Sequence, residues 1–331
     1  MLYPSFPPSG GDEGGQLPTS APARFLSMIL NSLFPVFVII VLGHILKRFG
    51  LTSDAFLRNS NRLIYFIFFP ILVFWKIGTA PSAASMNFNF CLAALSAVTM
   101  VFILSILYIK IFSVGEFQAG TFSQSCYRFN TYVGMALVLN AFGEAGGRSF
   151  GILIGIIIPW VNVMAVTVLI WFSGRRLTFW KQVQVTFKAV FSNPLFIACI
   201  AGLIFSNTLK VFPKAIDNTF SLFSMVTLPL ALLSIGGTLT LKSLKTYFSL
   251  SIVATGFKLL VLPLTGYFML SAFNVIGLPF KISMILFTLP TSTAMYVLSS
   301  QLNSDTDLAS ANIFLTTILS FFSLSLVLML D

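Results

Sequence analysis

Residues 59–79, NSNRLIYFIFFPILVFWKIGT, and residues 218–238, NTFSLFSMVTLPLALLSIGGT, share Asn59/Asn218, Leu63/Leu222, Pro70/Pro229, Gly78/Gly237 and Thr79/Thr238 at one fixed offset of 159. The same offset joins Pro35 to Pro194 and Gly43 to Gly202, so the register runs unbroken through two apolar segments and the loop between them. Proline and glycine are scarce here, 15 and 22 residues of 331, yet four of the matches are one or the other. Composition alone does not produce that; the chain repeats itself. How many membrane crossings each copy holds decides what the repeat means.

A chain with 57% apolar residues, 8% charged residues and 37 Phe cannot hide its apolar surface in a water-soluble globule. Its mean hydropathy of +0.95 places it in a bilayer. Hydrocarbon obliges every backbone group to bond internally, which leaves helices or closed barrels, and runs such as 90–109 are too long and too uniformly apolar for barrel strands. The net charge of +10 comes from short basic runs between apolar segments and not from a continuous stripe, so orientation in a membrane explains it better than nucleic acid. Cys91, Cys126 and Cys199 are scattered through apolar segments without metal-ligand spacing, and the sole histidine, His44, has no acidic neighbour in sequence. No cofactor and no metal is expected.

Residues 1–27, rich in Pro, Gly and Ser over most of their length, form an expected disordered tail with no basic leader before a short apolar stretch. Ten spans follow, at approximately 28–48, 59–78, 88–111, 117–141, 148–172, 193–210, 216–241, 245–272, 279–302 and 308–330. The fold class expected is therefore an all-α polytopic membrane protein. Its first five-helix repeat covers 28–172, a basic connector covers 173–192, and the second repeat covers 193–331. Five crossings per copy force the second copy to enter from the opposite side, so the repeats are inverted. Connectors after odd-numbered spans hold eleven of the 19 basic residues, among them Lys47, Arg48, Arg175, Arg176 and Lys181. That face is expected to be cytoplasmic and both termini outside.

The fourth span contains SQSCYRFNTYVG over 123–134, which puts Gln124, Ser125, Arg128, Asn130 and Thr131 near membrane depth. Such a stretch is tolerable only against protein or a wet cavity. At the repeat offset Thr131 meets Pro290, within LPTSTA over 289–294 of the ninth span. Pro290 removes a donor and disfavours helix at Leu289, so a half-helix is expected to start at Thr291, with Thr291, Ser292 and Thr293 around its N-terminus. Such an end carries bare N–H groups and partial positive charge suited to an anion. Helices 4 and 9 are thus expected to be broken and to cross at the substrate site, with Arg128 adding a full charge. Lys258 and Gln124 are assigned a conformational or coupling role. The nine carboxylates all fall in tails, connectors or span ends, so a cation antiporter or a carboxylate-built sodium site is disfavoured. Gly151 and Gly155 suggest local packing more than a dimer seam.

Arg128-Phe129-Asn130 with Gly134, Asn193-Pro194, Pro229 with Gly236-Gly237-Thr238-Leu239, and Leu289-Pro290-Thr291 together resemble the auxin efflux carrier family, over roughly residues 28–330. The resemblance implies crossing broken helices 4 and 9, a scaffold of helices 1, 2, 6 and 7 that dimerises, and six further helices as a transport domain. The family's crossover Asn looks like Asn130 and its crossover Pro on the ninth helix like Pro290; the Pro of plant members at the fourth-helix break is missing. It also implies a permease for a mono- or dicarboxylate, auxin-like or malate-like, in the bacterial inner (plasma) membrane. The leading expectation is a secondary transporter of a small organic anion working by alternating access, embedded in the lipid bilayer as a homodimer, without catalysis or nucleic acid. The substrate site comprises Arg128, Asn130, Thr131, Pro290, Thr291, Ser292 and Thr293. The competing reading, a membrane-embedded sensor without net transport, calls for a fused signalling domain, which is not expected after the tenth span.

Overall fold

A computed structural model describes residues 21–79, 88–172, 191–209, 211–239 and 244–329, with residues 180, 184 and 188 between them. The part of the expected tail over 1–20 and most of the connector over 173–192 lie outside the described residues. Among the described residues every regular element is helical. Seven stretches are long and apolar enough to cross a membrane, and the apolar helices Pro194–Thr208 and Gly277–Thr288 are shorter. Phe34, Leu222, Met225, Leu260 and Phe322 point outward with more than half of their surface exposed, as a hydrocarbon solvent requires. The protein is a multi-pass membrane protein.

The first half comprises α1 (Ala21–Arg48), α2 (Asp54–Leu63), α3 (Phe69–Gly78), α4 (Asn89–Ile111), α5 (Glu116–Tyr127) and α6 (Thr131–Phe172). The second comprises α7 (Pro194–Thr208), α8 (Lys214–Thr238), α9 (Leu244–Gly256), α10 (Leu262–Ala272), α11 (Gly277–Thr288), α12 (Ala294–Gln301) and α13 (Thr306–Leu328). Helix α1 begins at Ala21, so the last seven residues of the expected tail are helical backbone. Side-chain caps start several helices. Ser53 accepts from the Phe56 amide at 3.1 Å, Asn193 accepts from the Leu195 amide at 2.9 Å with Pro194 behind it, and Asp305 accepts from the amides of Asp307 and Leu308.

Helix α1 lies along α8, and α3 along α7. The first contact is backbone on backbone: a Cβ on Gly43 would stand 2.1 Å from the Leu233 carbonyl oxygen, and one on Gly236 1.8 Å from that of Ile40. Only glycine permits such an approach. Gly155 packs on Cys199 and Gly151 on Ile77, so this pair serves packing within the chain. Helices α4–α6 and α9–α13 form a second group, with α6 touching both groups.

Two turns of π-helix interrupt the spans, Ile64–Phe68 between α2 and α3 and Phe257–Val261 between α9 and α10. A proline follows each at the second position of the next helix, Pro70 and Pro263, where its missing N–H falls on backbone already loosened. Pro229 lies inside a continuous α8, so Pro70 and Pro229, which match at the repeat offset, are accommodated differently. The offset also drifts. Ser113 (φ 50°) and Asn274 (φ 52°) end α4 and α10 in the same left-handed conformation and are 161 residues apart.

Candidate functional site

The least lipid-compatible stretch of the sequence is where the chain leaves the helix. Helix α5 stops at Tyr127, Arg128 is extended (φ −67°, ψ 152°), and helix resumes at Thr131. Asn130 caps the new start, its Oδ1 accepting from the amides of Tyr132 at 3.1 Å and Val133 at 3.3 Å. The second break mirrors the first. Helix α11 stops at Thr288 and Leu289 is extended (φ −60°, ψ 149°), but helix α12 resumes only at Ala294, three residues later than expected. The difference lies in Thr291, whose residue type suits a cap but whose groups are engaged elsewhere. Its hydroxyl donates to the Arg128 carbonyl at 3.3 Å, and its amide donates to Thr316 Oγ1 at 3.1 Å. Ser292 takes over near the helix start, its Oγ accepting from the Ala294 amide at 3.3 Å.

The two breaks touch. The Asn130 amide donates to the Pro290 carbonyl at 2.8 Å, so backbone from one interruption satisfies backbone from the other. Asn130, Pro290 and Thr291 are buried, whereas Thr131, Ser292 and Thr293 retain partial exposure. Six of the seven expected residues therefore divide, with Arg128 apart. Asn130, Pro290 and Thr291 hold the crossing together, and Thr131, Ser292 and Thr293 present hydroxyls beside it.

Arg128 is 6% exposed. Its terminal nitrogens donate to Gln124 Oε1 at 3.1 Å and Asn162 Oδ1 at 3.2 Å, and its Nε has no partner. Both bonds go to neutral amides, and no acid pairs with it among the described residues. Gln124 is itself held by its Nε2, which donates to the Gly120 carbonyl at 3.3 Å.

Lys258 sits in the second π-turn, fully buried, and its Nζ donates to the Phe287 carbonyl at 2.9 Å. Phe287 lies in the last turn of α11, where carbonyls lack helical partners and a cation offsets the negative end of the dipole. Sequence spacing alone gave no link between Lys258 and the crossing; the structure supplies one. Among the acids, Asp305 lies in the connector before α13, as the sequence places it, but it is buried there, 2% exposed as the cap of that helix.

Two residues of the site lay outside the expected set, Asn162 on α6 and Thr316 on α13, and a third such polar residue, Asn312 on α13, meets Ser125. The signal for Asn162 and Asn312 was available, since each is an amide inside an otherwise apolar span, and such groups need a partner. Among the described residues no group of three or more His, Cys, Asp or Glu side chains gathers to hold a metal.

A family model described as membrane transport protein matches residues 28–178 and 175–328. An uncharacterized transporter of Methanocaldococcus jannaschii is 24% identical over 299 residues, covering 88% of this chain and 95% of the relative. An uncharacterized transporter of Methanothermobacter thermautotrophicus is 24% identical over 301 residues, covering 89% and 96%.

Proposed function

Because the chain belongs to the membrane transport protein family, that of the auxin efflux carriers, we propose that it is a secondary transporter that moves a small organic anion across the membrane by alternating access. The observation that carries this reading is the crossing itself: two helix interruptions joined by the Asn130–Pro290 bond, with the buried Arg128 guanidinium beside them and no acid to neutralise it. A fixed positive charge with a bare Nε, on one of two interrupted stretches that also offer the partly exposed Thr131, Ser292 and Thr293, suits a carboxylate better than any cation or neutral solute. Mono- and dicarboxylates, auxin-like or malate-like, are the substrate class.

In this reading residues 28–172 and 193–331 are two five-helix repeats inverted across the membrane, giving ten crossings. Helices α1, α3, α7 and α8 form the scaffold and carry the homodimer contact, and the group around the crossing moves against it. Basic connectors place the odd-numbered loops in the cytoplasm and both termini outside, in the plasma membrane of a bacterial cell. A protease-cleavable tag at either end, cut in intact spheroplasts, supports that topology; protection until lysis reverses it.

The transport reading is tested in proteoliposomes with radiolabelled mono- and dicarboxylates. Asn130→Ala removes the cap of the second half-helix, worth about 1 kcal/mol, and lets the half-helix end shift from the crossing. Uptake is expected to fall at least about tenfold while the protein still elutes as a folded species. Asn130→Asp, which can cap, adds a negative charge at the site and should also fail. Wild-type uptake in both variants would remove the crossing as the substrate site.

A further inference from the structure

One helical turn from Arg128, helices α5, α12 and α13 enclose a run of buried oxygens that lies outside the residues assigned to the anion. Thr121 Oγ1 lies 2.9 Å from both Ser299 Oγ and Ser304 Oγ, and Ser304 Oγ donates to the Phe117 carbonyl at 2.9 Å. One turn deeper, Ser125 Oγ donates to the Thr121 carbonyl at 2.7 Å and accepts from Asn312 Nδ2 at 2.6 Å. Thr121, Ser125, Ser299 and Asn312 are all fully buried.

The proton count in this run falls short. With Ser304 donating to Phe117, Thr121 donates to Ser304 and Ser299 to Thr121, and Ser125 spends its proton on the Thr121 carbonyl. Nothing is left for Asn312 Oδ1, which is buried and has no partner. Turning the amide over gives Oδ1 the Ser125 proton but strips Nδ2 instead, so one pole of Asn312 is bare in either orientation. A bare acceptor at this depth costs about 1–3 kcal/mol, and an ion or water is what such a group usually meets. Two turns toward the connector on the same helix face lies the buried Asp305, whose Oδ1 caps α13 and whose carboxylate meets the Tyr247 hydroxyl.

We propose that Asn312 Oδ1, with the hydroxyl oxygens of Ser125 and Thr121, forms a binding site for a monovalent alkali cation, with Asp305 as the acidic charge nearby. Neutral oxygens with a single carboxylate in the field suit one positive charge; a divalent ion draws on several carboxylates. The site joins α5, the first part of one interrupted stretch, to α13, and Thr121 ties it to Ser299 of α12, the last part of the other. An ion there consolidates the group around the crossing, so its binding adds to the stability of the folded protein.

The test uses purified full-length protein without any organic anion, so its result is independent of the transport reading. Thermal unfolding is followed as NaCl or KCl replaces choline chloride at constant ionic strength. One alkali cation is expected to raise the midpoint saturably, by on the order of 3 °C. Asn312→Leu is expected to lose the response, and Ser125→Ala to shift its midpoint concentration at least about tenfold. Equal curves in sodium, potassium and choline overturn the proposal and leave water as the partner of Asn312. An undiminished response in Ser125→Ala and Thr121→Val overturns it as well, which keeps the test decisive if Asn312→Leu does not fold.

Discussion

Gly236→Val is expected to yield no folded protein. The position of a Cβ on Gly236 is 1.8 Å from the Ile40 carbonyl oxygen and 2.7 Å from its carbon, with the His44 amide nitrogen at 3.0 Å, and all three are backbone atoms of α1. A side chain opposite can change rotamer; a helix backbone cannot, so α1 and α8 would have to separate by more than an ångström along their most extensive contact. Overpacking that side chains can absorb costs about 1–3 kcal/mol, and a displaced helix pair adds the dispersion lost along its length. Against a stability of about 5–15 kcal/mol this is enough to remove the monodisperse species in size-exclusion chromatography. Gly256→Ala is the matched control. Nothing lies within 4 Å of the added Cβ and the backbone is helical, so the variant should be more stable by about 0.5–1 kcal/mol. Normal yield of Gly236→Val would show that the close approach of α1 and α8 is not a determinant of the fold.

Arg128→Gln is expected to abolish uptake while leaving the protein at least as stable. A buried guanidinium held only by the neutral Gln124 and Asn162 keeps its desolvation cost, several kcal/mol, without an ion pair to offset it. Removing it forfeits two charge-assisted bonds, each worth about 1.5–3 kcal/mol, and leaves two amide oxygens that the new Gln can partly serve. The unfolding midpoint should therefore stay level or rise. Uptake loses the one full charge at the crossing and should fall about a hundredfold or more, the effect of some 2.7 kcal/mol. Arg128→Lys keeps the charge but not the planar fork and should lie between the two. Uptake by Arg128→Gln within twofold of wild type would exclude the guanidinium as the anion's partner, and a collapse in stability would recast it as structural.

The break over 128–130 was legible because Gln124, Arg128 and Asn130 cannot face lipid, and Pro290 marked the second break by its missing donor. The start of α12 was not, because the residue types Thr291, Ser292 and Thr293 describe a good cap while the actual role of Thr291 depends on Arg128, 163 residues away in sequence. Lys258 on Phe287 and the burial of Asp305 were hidden for the same reason. Local chemistry announces which groups need partners, and it is silent about which distant element supplies them. Glycine shows both sides. Gly43 stood out through the repeat, whereas Gly236, in the tighter contact, has Ile77 at the repeat offset and gave no such signal.

The π-turn at Phe257–Val261 bears on how the two halves of the chain came to differ. A π-turn houses one residue more than the α-helical winding it replaces, and α4, the helix of the first half that ends as α10 does, has none. The change of offset from 159 at Thr79 and Thr238 to 161 at Ser113 and Asn274 thus includes an insertion absorbed inside a helix and not in a loop. Lys258 occupies that turn, and either offset puts an uncharged residue, Thr99 or Ala97, at its place in the first half. The extra residue and the charge of the second half thus fall on one and the same turn, and at that turn the two halves are not interchangeable.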